Sequence, residues 1–385
     1  MEEKRGRTEV ERIVYGGMGL AHFEDMTLFL PCAAAGDTVD FIVTKKKKKC
    51  LFGEITGIVE PSPARREPQC PVFGRCGGCH LLHLDYEEET RVKKETFLST
   101  LRRIGGIDTE IASYTPCPER FGYRNHALFK VGSGGETGFS RRESSEIVPF
   151  PDQGCLLLPP PMRKAISDLS PDSLVPGSKV RARLDSFGAI HFWGVEGVIS
   201  PPDILMKAGD MSFPVYPEAF FQINRHLNAP LMDLAISLPK KTARKFLDMY
   251  SGVGFFTLPM AARAVEAVGI EVQRQAHRSA VAAAKLNKVP NVRFIRETAE
   301  RGLSRIGEAD LVLTDPPRSG IPASVLKSII KLRPGEIIMI SCDAPTFARD
   351  AARLVEASWA PAEIHLIDMF PGTYHVESVA LFRRG

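Results

Sequence analysis

The chain has 385 residues, 50 Lys and Arg against 46 Asp and Glu for a formal charge of +4, and 44% hydrophobic residues. That length exceeds one ordinary core and calls for two or three domains, and the balanced composition excludes a disordered or fibrous chain. No apolar run reaches about 18 residues and "MEEKRGRTEV" carries no hydrophobic stretch after its charges, so neither a membrane span nor a signal peptide is expected and the protein reads as cytoplasmic.

Residues 8–60 alternate short apolar stretches with Gly and charge, as in "VERIVYGGMGL", "DMTLFLPC" and "LFGEITGIVE". Several short strands with close turn signals predict a small β-barrel. Within it Lys45 to Lys49 form one basic block, either a solvated, self-repelling loop or a contact for a polyanion. Pro61, Pro63 and Pro68 then mark a linker.

"CPVFGRCGGC" follows, placing Cys70, Cys76 and Cys79 in a C-x5-C-x2-C spacing. A compartment that does not maintain disulfides leaves metal binding or chemistry for clustered thiols. Structural zinc more often uses two C-x2-C pairs, whereas three cysteines and one distant thiol suit a four-cysteine iron–sulfur cluster. Cys155 in "FPDQGCLLLP" is the natural fourth donor, with His80 and His83 as lesser candidates. The gap of five argues against radical S-adenosylmethionine chemistry. Between about 116 and 206, "YRNHALFKV", "TGFSRRESSEIVPF" and "SKVRARLDSFGAIHFWGV" read as strands of a small α+β insertion.

From about 240 onward strands and helices alternate, which predicts a mostly parallel, doubly wound sheet. The strands are "ARKFLDMY", "AVGIE", "VRFIRE", "ADLVLTD", "EIIMISC", "EIHLIDMF" and "VESVALF", and the last two, joined without a helix, are expected as an antiparallel edge pair. A seven-stranded sheet of that form is the architecture of many S-adenosylmethionine-dependent methyltransferases.

Gly252 and Gly254 follow the first of these strands, where a glycine lets the backbone approach a ligand at a helix N-terminus. Glu271 ends the next strand, where a carboxylate accepts from ribose hydroxyls; the pair predicts an adenosine-type cofactor. "LTDPPRSG" brings Asp315 to the carboxyl edge of the sheet. It lacks both the aromatic after Pro-Pro of many amino-group methylases and the Pro-Cys of cytosine-5 RNA methylases. The next strand delivers Cys342 and the final hairpin Glu377 to the same edge. A lone free cysteine is usually an inert core residue. A thiol and a carboxylate beside a methyl donor have a joint role, because uracil C5 is a poor nucleophile until a thiolate adds at C6 and a base must later take the C5 proton.

Together "CPVFGRCGGC", Cys155, "FFQIN", "DMYSGVG", "DPPRSG", "ISCDAPTFARD" and "MFPGTYHVES" resemble the RNA uracil-5 methyltransferases, including the ribosomal RNA enzymes with an N-terminal TRAM domain. The resemblance implies that Gln222, Tyr250, Glu271 and Asp315 contact S-adenosylmethionine, that Cys342 is the nucleophile and that Glu377 is the general base. It also implies a [4Fe–4S] cluster on Cys70, Cys76, Cys79 and Cys155, and an RNA substrate, 23S rRNA ahead of tRNA. The expected organisation is a TRAM-like barrel over 1–64, a central iron–sulfur and RNA-binding domain over 65–87 and 116–206, and a catalytic domain over 88–115 and 207–385. A monomer is expected. Relatives often carry Asn at 343, Cys at 251 and Asn at 255, where this chain has Asp343, Ser251 and Phe255. An Asp343 that is both ionised and close is expected to raise the neighbouring thiol, and Phe255 to forgo a cofactor hydrogen bond. The rival readings are cytosine-5 methylation and a non-enzymatic iron–sulfur RNA-binding protein.

Overall fold

A computed structural model describes residues 4–198 and 201–385; residues 1–3 of the expected 1–64 range and 199–200 of the 116–206 range lie outside the described residues. The N-terminal strands form a six-stranded sheet whose two ends are Arg5–Glu9 and Arg12–Val14. These are consecutive halves of one bent stretch. Arg5–Glu9 pairs with Thr38–Lys47, and Arg12–Val14 pairs with Met18–Phe23. At the bend Val10 N–H donates to Asp37 O and Glu11 N–H to Leu20 O, both at 2.9 Å. A stretch that pairs at both ends of its own sheet curls that sheet into a barrel. Val10, Leu28, Leu30, Val39 and Phe41 fill the interior. Lys45 to Lys49 are exposed at the tip of the hairpin joining Thr38–Lys47 to Cys50–Glu60.

The middle of the chain forms a five-stranded antiparallel sheet in the order Ile147–Pro149, Thr137–Ser140, His126–Val131, Lys179–Leu184, Ile190–Trp193. Phe129 and Val180 on it pack against Met162 and Ile166 of the helix Pro160–Ser167.

The C-terminal sheet runs Val292–Ile295, Ala264–Ile270, Ala243–Met249, Leu311–Thr314, Glu336–Ser341, Glu377–Arg384, Trp359–Ile367, Ser113–Thr115. All seven expected strands are present, and an eighth is added. Ser113–Thr115 pairs in parallel with Trp359–Ile367, so the final hairpin is antiparallel but is not the edge of the sheet. Glu377–Arg384 lies between two partners. Its near-total burial from Glu377 to Phe382 is what an interior strand requires. The helix Tyr86–Gly105, just before the added strand, lays Phe97 against Phe347 of the helix Ala344–Glu356, ring centroids 5.4 Å apart. The chain leaves Ala243–Met249 towards one side of the sheet and returns to Leu311–Thr314 on the other. That reversal opens a crevice at the carboxyl ends of the two strands.

Candidate active site

Strand register brings the reactive pair together. In the antiparallel ladder Ser341 lies opposite Ser378, whose hydroxyl donates to Ser341 O at 2.8 Å. One residue outward on each strand stand Cys342 and Glu377. Asp315, one residue beyond Leu311–Thr314, reaches the same edge from the neighbouring parallel strand, and Gln222 Nε2 donates to its Oδ2 at 3.3 Å. The loop before Glu377 closes over the pair, with His375 Nδ1 3.2 Å from Cys342 O.

Three acidic groups in one buried pocket oppose one another's ionisation. Burial and then Asp315 push the Glu377 carboxyl well above the usual range, while Arg318 acts the other way. Burial likewise raises Asp315 to about 7 against the Gln222 hydrogen bond. The Cys342 thiol is pushed up to about 12, by burial first and then by Glu377 and Asp315, with Arg318 opposing. The carboxylates that raise it most are therefore not the adjacent Asp343, contrary to expectation. Asp343 is turned away: Oδ1 caps Ala344–Glu356 by accepting from Thr346 N–H at 3.0 Å, and Oδ2 accepts from Tyr15 Oη–H at 2.6 Å. The arrangement is a thiol beside a carboxyl, in a pocket whose ionisation is favoured by any cation that enters.

The adjoining crevice has the features of an adenosine-type site. Tyr250 (φ +65°), Gly252 (φ +56°) and Gly254 (φ +81°) form a left-handed turn after Ala243–Met249. A Cβ on Gly252 would meet nothing within 4 Å, so its backbone faces open space. Glu271 accepts from Gly252 N–H at 2.9 Å and from Gln273 N–H at 2.6 Å, which holds its carboxylate at the rim. Around this turn the polar atoms Asp248 Oδ1, Tyr250 Oη, Ser251 Oγ and Thr314 Oγ1 are buried without a partner among the described residues, the mark of a site shaped for a polar guest. Phe255 stands apart from it, stacked on Phe213 at 5.8 Å and edge-on to Phe221 at 5.6 Å; it is core.

Cys70, Cys76, Cys79 and Cys155 line a single cavity between the 70–79 loop and the central sheet. Gly77 N–H donates to Ser140 O at 3.0 Å, and a Cβ on Gly77 would lie 3.2 Å from that oxygen, so this position admits a close backbone approach. Burial raises the Cys76, Cys79 and Cys155 thiols, and the other thiols add to it. Arg124 also lines the cavity, and among the described residues it forms no ion pair with a carboxylate. The histidines do not line it: His83 Nε2 meets Ala33 O at 3.0 Å, and the His80 ring packs on Tyr374 at 4.7 Å. Among the described residues no group of three or more His, Cys, Asp or Glu side chains is disposed to hold a metal ion.

Sequence reasoning missed Tyr15, whose partner lies 328 residues away, and Lys93, which joins Tyr15, Cys342 and Tyr374 around one small cavity. No local pattern marks either. His375 was open to detection by its place two residues before Glu377.

The solved structure of the Pyrococcus abyssi tRNA (uracil-54, C5)-methyltransferase, in complex with S-adenosyl-L-homocysteine, superposes with a TM-score of 0.75. The alignment covers 97% of this chain and 100% of that one at 23% identity, and shows a common methyltransferase fold. In sequence, residues 204–385 match the family model described as tRNA (Uracil-5-)-methyltransferase. An uncharacterized RNA methyltransferase of Aquifex aeolicus (strain VF5) is 32% identical over 424 residues, covering 99% of each chain. The Pseudomonas putida protein named 23S rRNA (uracil(1939)-C(5))-methyltransferase RlmD is 30% identical over 431 residues, 99% of this chain and 94% of its own. The chain belongs to the RNA uracil-5 methyltransferase family, and is a S-adenosylmethionine-dependent enzyme that methylates uracil C5 in RNA.

Proposed function

We propose that the chain methylates a uridine of 23S rRNA, with Cys342 as nucleophile and Glu377 as general base. The observation that carries the chemistry is the register that sets Cys342 beside Glu377 at the rim of the cofactor crevice. The Cys342 thiolate adds to C6 of the uracil, the electron pair passes to an enolate, and C5 becomes nucleophilic. S-adenosylmethionine supplies the electrophilic methyl. Glu377 takes the C5 proton, the C6–S bond breaks, and Cys342 leaves as thiolate. Gln222 orients Asp315 at the cofactor, and Glu271 takes the ribose hydroxyls. The full-length match to the Pseudomonas putida relative supports 23S rRNA, and mapping 5-methyluridine in RNA from cells with and without the gene tests it against tRNA.

In this reading the barrel over 1–64 grips RNA, residues 65–87 and 116–206 carry a [4Fe–4S] cluster, and residues 88–115 join 207–385 in the catalytic domain. Among the described residues the thiols are not disposed as a preformed metal site, but the donor set that lines the cavity would suit a cluster. Four thiols face one space, the carboxylate-free Arg124 offsets the negative charge of a thiolate-ligated cluster, and Gly78 N–H already donates to Cys76 Sγ at 3.4 Å. Cys70, Cys76, Cys79 and Cys155 would hold it, and it supplies rigidity to the loop rather than a step of methyl transfer.

The test separates the two catalytic roles. Cys342→Ala abolishes methylation and every covalent link to RNA. Glu377→Gln accumulates a denaturant-resistant protein–RNA adduct that already carries the methyl. Near wild-type turnover by folded Cys342→Ala would overturn the assignment.

A further inference from the structure

The β-barrel reaches into the catalytic site at one residue. Tyr15 lies in the turn between Arg12–Val14 and Met18–Phe23 and donates its hydroxyl to Asp343 Oδ2 at 2.6 Å, one residue from Cys342. Its ring meets Tyr374 at 5.1 Å, and Tyr374 in turn meets His375 at 4.1 Å and His80 at 4.7 Å. Three parts of the chain therefore converge on the wall of the site: the barrel, the cysteine loop and the loop before Glu377. The approach is close enough that a Cβ on Gly17 (φ +71°) would lie 3.0 Å from His80 Cβ.

We propose that Tyr15 is a positioning residue for Cys342, a hydroxyl supplied by the barrel that holds the Asp343 carboxylate off the thiol and so couples the seating of the barrel to the readiness of the nucleophile. The inference rests on the reading of Cys342 as nucleophile. Asp343 has two duties, one per oxygen: Oδ1 caps the helix Ala344–Glu356 and Oδ2 takes the tyrosine. Burial and the Asp343 hydrogen bond raise the Tyr15 phenol, so it keeps its proton and is the donor. Remove that donor, and Oδ2 loses its hydrogen bond beside a group that must itself become an anion to react, with Arg349, His375 and Tyr374 as the other groups that feel the Asp343 charge.

The other groups facing the thiol stay in place. Glu377 and Asp315 raise it and Arg318 lowers it. His375 abuts Cys342 O, held neutral because burial and Arg318 lower it to about 4. Tyr374 and Lys93 line the same small cavity as Cys342, Lys93 already being paired with Glu89 and Asp368. Tyr15→Phe keeps the ring that packs on Tyr374 and removes the hydroxyl that Asp343 accepts, so the substitution probes Asp343.

The experiment is a double-mutant cycle on the full-length, anaerobically purified chain, read by the rate at which iodoacetamide alkylates Cys342 across about pH 7–9, followed by mass analysis of its peptide. Tyr15→Phe is expected to slow alkylation about three- to tenfold, the thiolate fraction lost when a neighbouring carboxylate raises a thiol by half to one pH unit. Asp343→Asn keeps a cap oxygen but no charge, so Tyr15→Phe/Asp343→Asn is expected to alkylate at the rate of Asp343→Asn alone. Methylation by Tyr15→Phe should fall by the same factor as alkylation. Unchanged alkylation in Tyr15→Phe, or an equal loss with Asn at 343, overturns the coupling. Because alkylation needs no RNA, that failure is distinct from turnover by Cys342→Ala, which would instead remove Cys342 as nucleophile.

Discussion

Asp315 is the residue whose charge is most finely poised. With its carboxyl raised to about 7, it is near half protonated at neutral pH when the site is empty. A sulfonium cation entering the pocket favours the ionised form, so S-adenosylmethionine binding should expel protons near pH 7, and its affinity should rise as pH increases towards and past 7. The neutral product S-adenosylhomocysteine lacks that charge and should expel fewer. Calorimetric titrations in buffers of different ionisation enthalpy measure this directly. Identical apparent enthalpies in all buffers would show that no carboxyl in the site changes protonation. The thiol is raised at rest by burial first and then by Glu377 and Asp315, so positive charge that enters the pocket favours its ionisation too.

Among the elements, the helix Tyr86–Gly105 is tied to the catalytic loop through charges that see no water. Lys93 pairs with Glu89 and Asp368 at 2.7 Å each, all three fully buried, and Glu89 also accepts from Gly372 N–H at 2.6 Å. The loop from Asp368 to His375, which leads into Glu377, thus hangs on this helix. Two more donors reach it from the cysteine loop, His80 N–H at 2.8 Å and Leu81 N–H at 3.0 Å, both to Gly372 O. Lys93→Met leaves buried Asp368 without its cation, and Glu89 with Arg120 alone at 2.7 Å, and should cost about 3–5 kcal/mol. Denaturant unfolding would read that loss, and Glu89→Gln in the same chain should recover part of it. A loss below about 1 kcal/mol would mean that water or Arg120 already neutralises Glu89 and that the triad does not hold the loop.

At the scale of the whole molecule, the basic hairpin and the cysteine cavity carry tests of their own. The exposed Lys45 to Lys49 hairpin projects from the barrel, where phosphate contacts would position an RNA without specifying it. Neutralising the block should weaken RNA binding and flatten its salt dependence while leaving the methylated position unchanged; an unaltered salt slope would return the hairpin to a merely solvated tip. The cysteine cavity predicts a brown protein with about four irons per chain when purified without oxygen, as a four-thiolate cubic cluster requires. Cys155→Ser should lose iron as surely as Cys79→Ser. Stoichiometric zinc without visible absorbance would refute the cluster, and full iron in Cys155→Ser would move the fourth ligand elsewhere.

Much of this was written in local pattern. The alternation from "ARKFLDMY" to "VESVALF" suffices for the parallel sheet, because continuous apolar runs separated by helices have no other compact arrangement, and strand ends then bring Asp315, Cys342 and Glu377 to one edge. The small barrel also follows from the 8–60 pattern, but the bent stretch that joins its two ends does not. Tertiary structure alone decided what depends on distant partners. The eighth strand Ser113–Thr115 is too short to be read from periodicity and exists because Trp359–Ile367 offers an unpaired edge. Phe255 is read from the sequence as forgoing a cofactor hydrogen bond, and the fold shows where it goes instead: aromatic neighbours from the hairpin Ile204–Val215 and from Phe221 draw it into the core. The electrostatic neighbourhood of Cys342 was likewise out of reach: sequence adjacency points to Asp343, but a helix cap and a tyrosine from the other end of the chain occupy that carboxylate, and strand register brings Glu377 and Asp315 to the thiol instead. Charges act through space, and only the folded chain determines which of them are near.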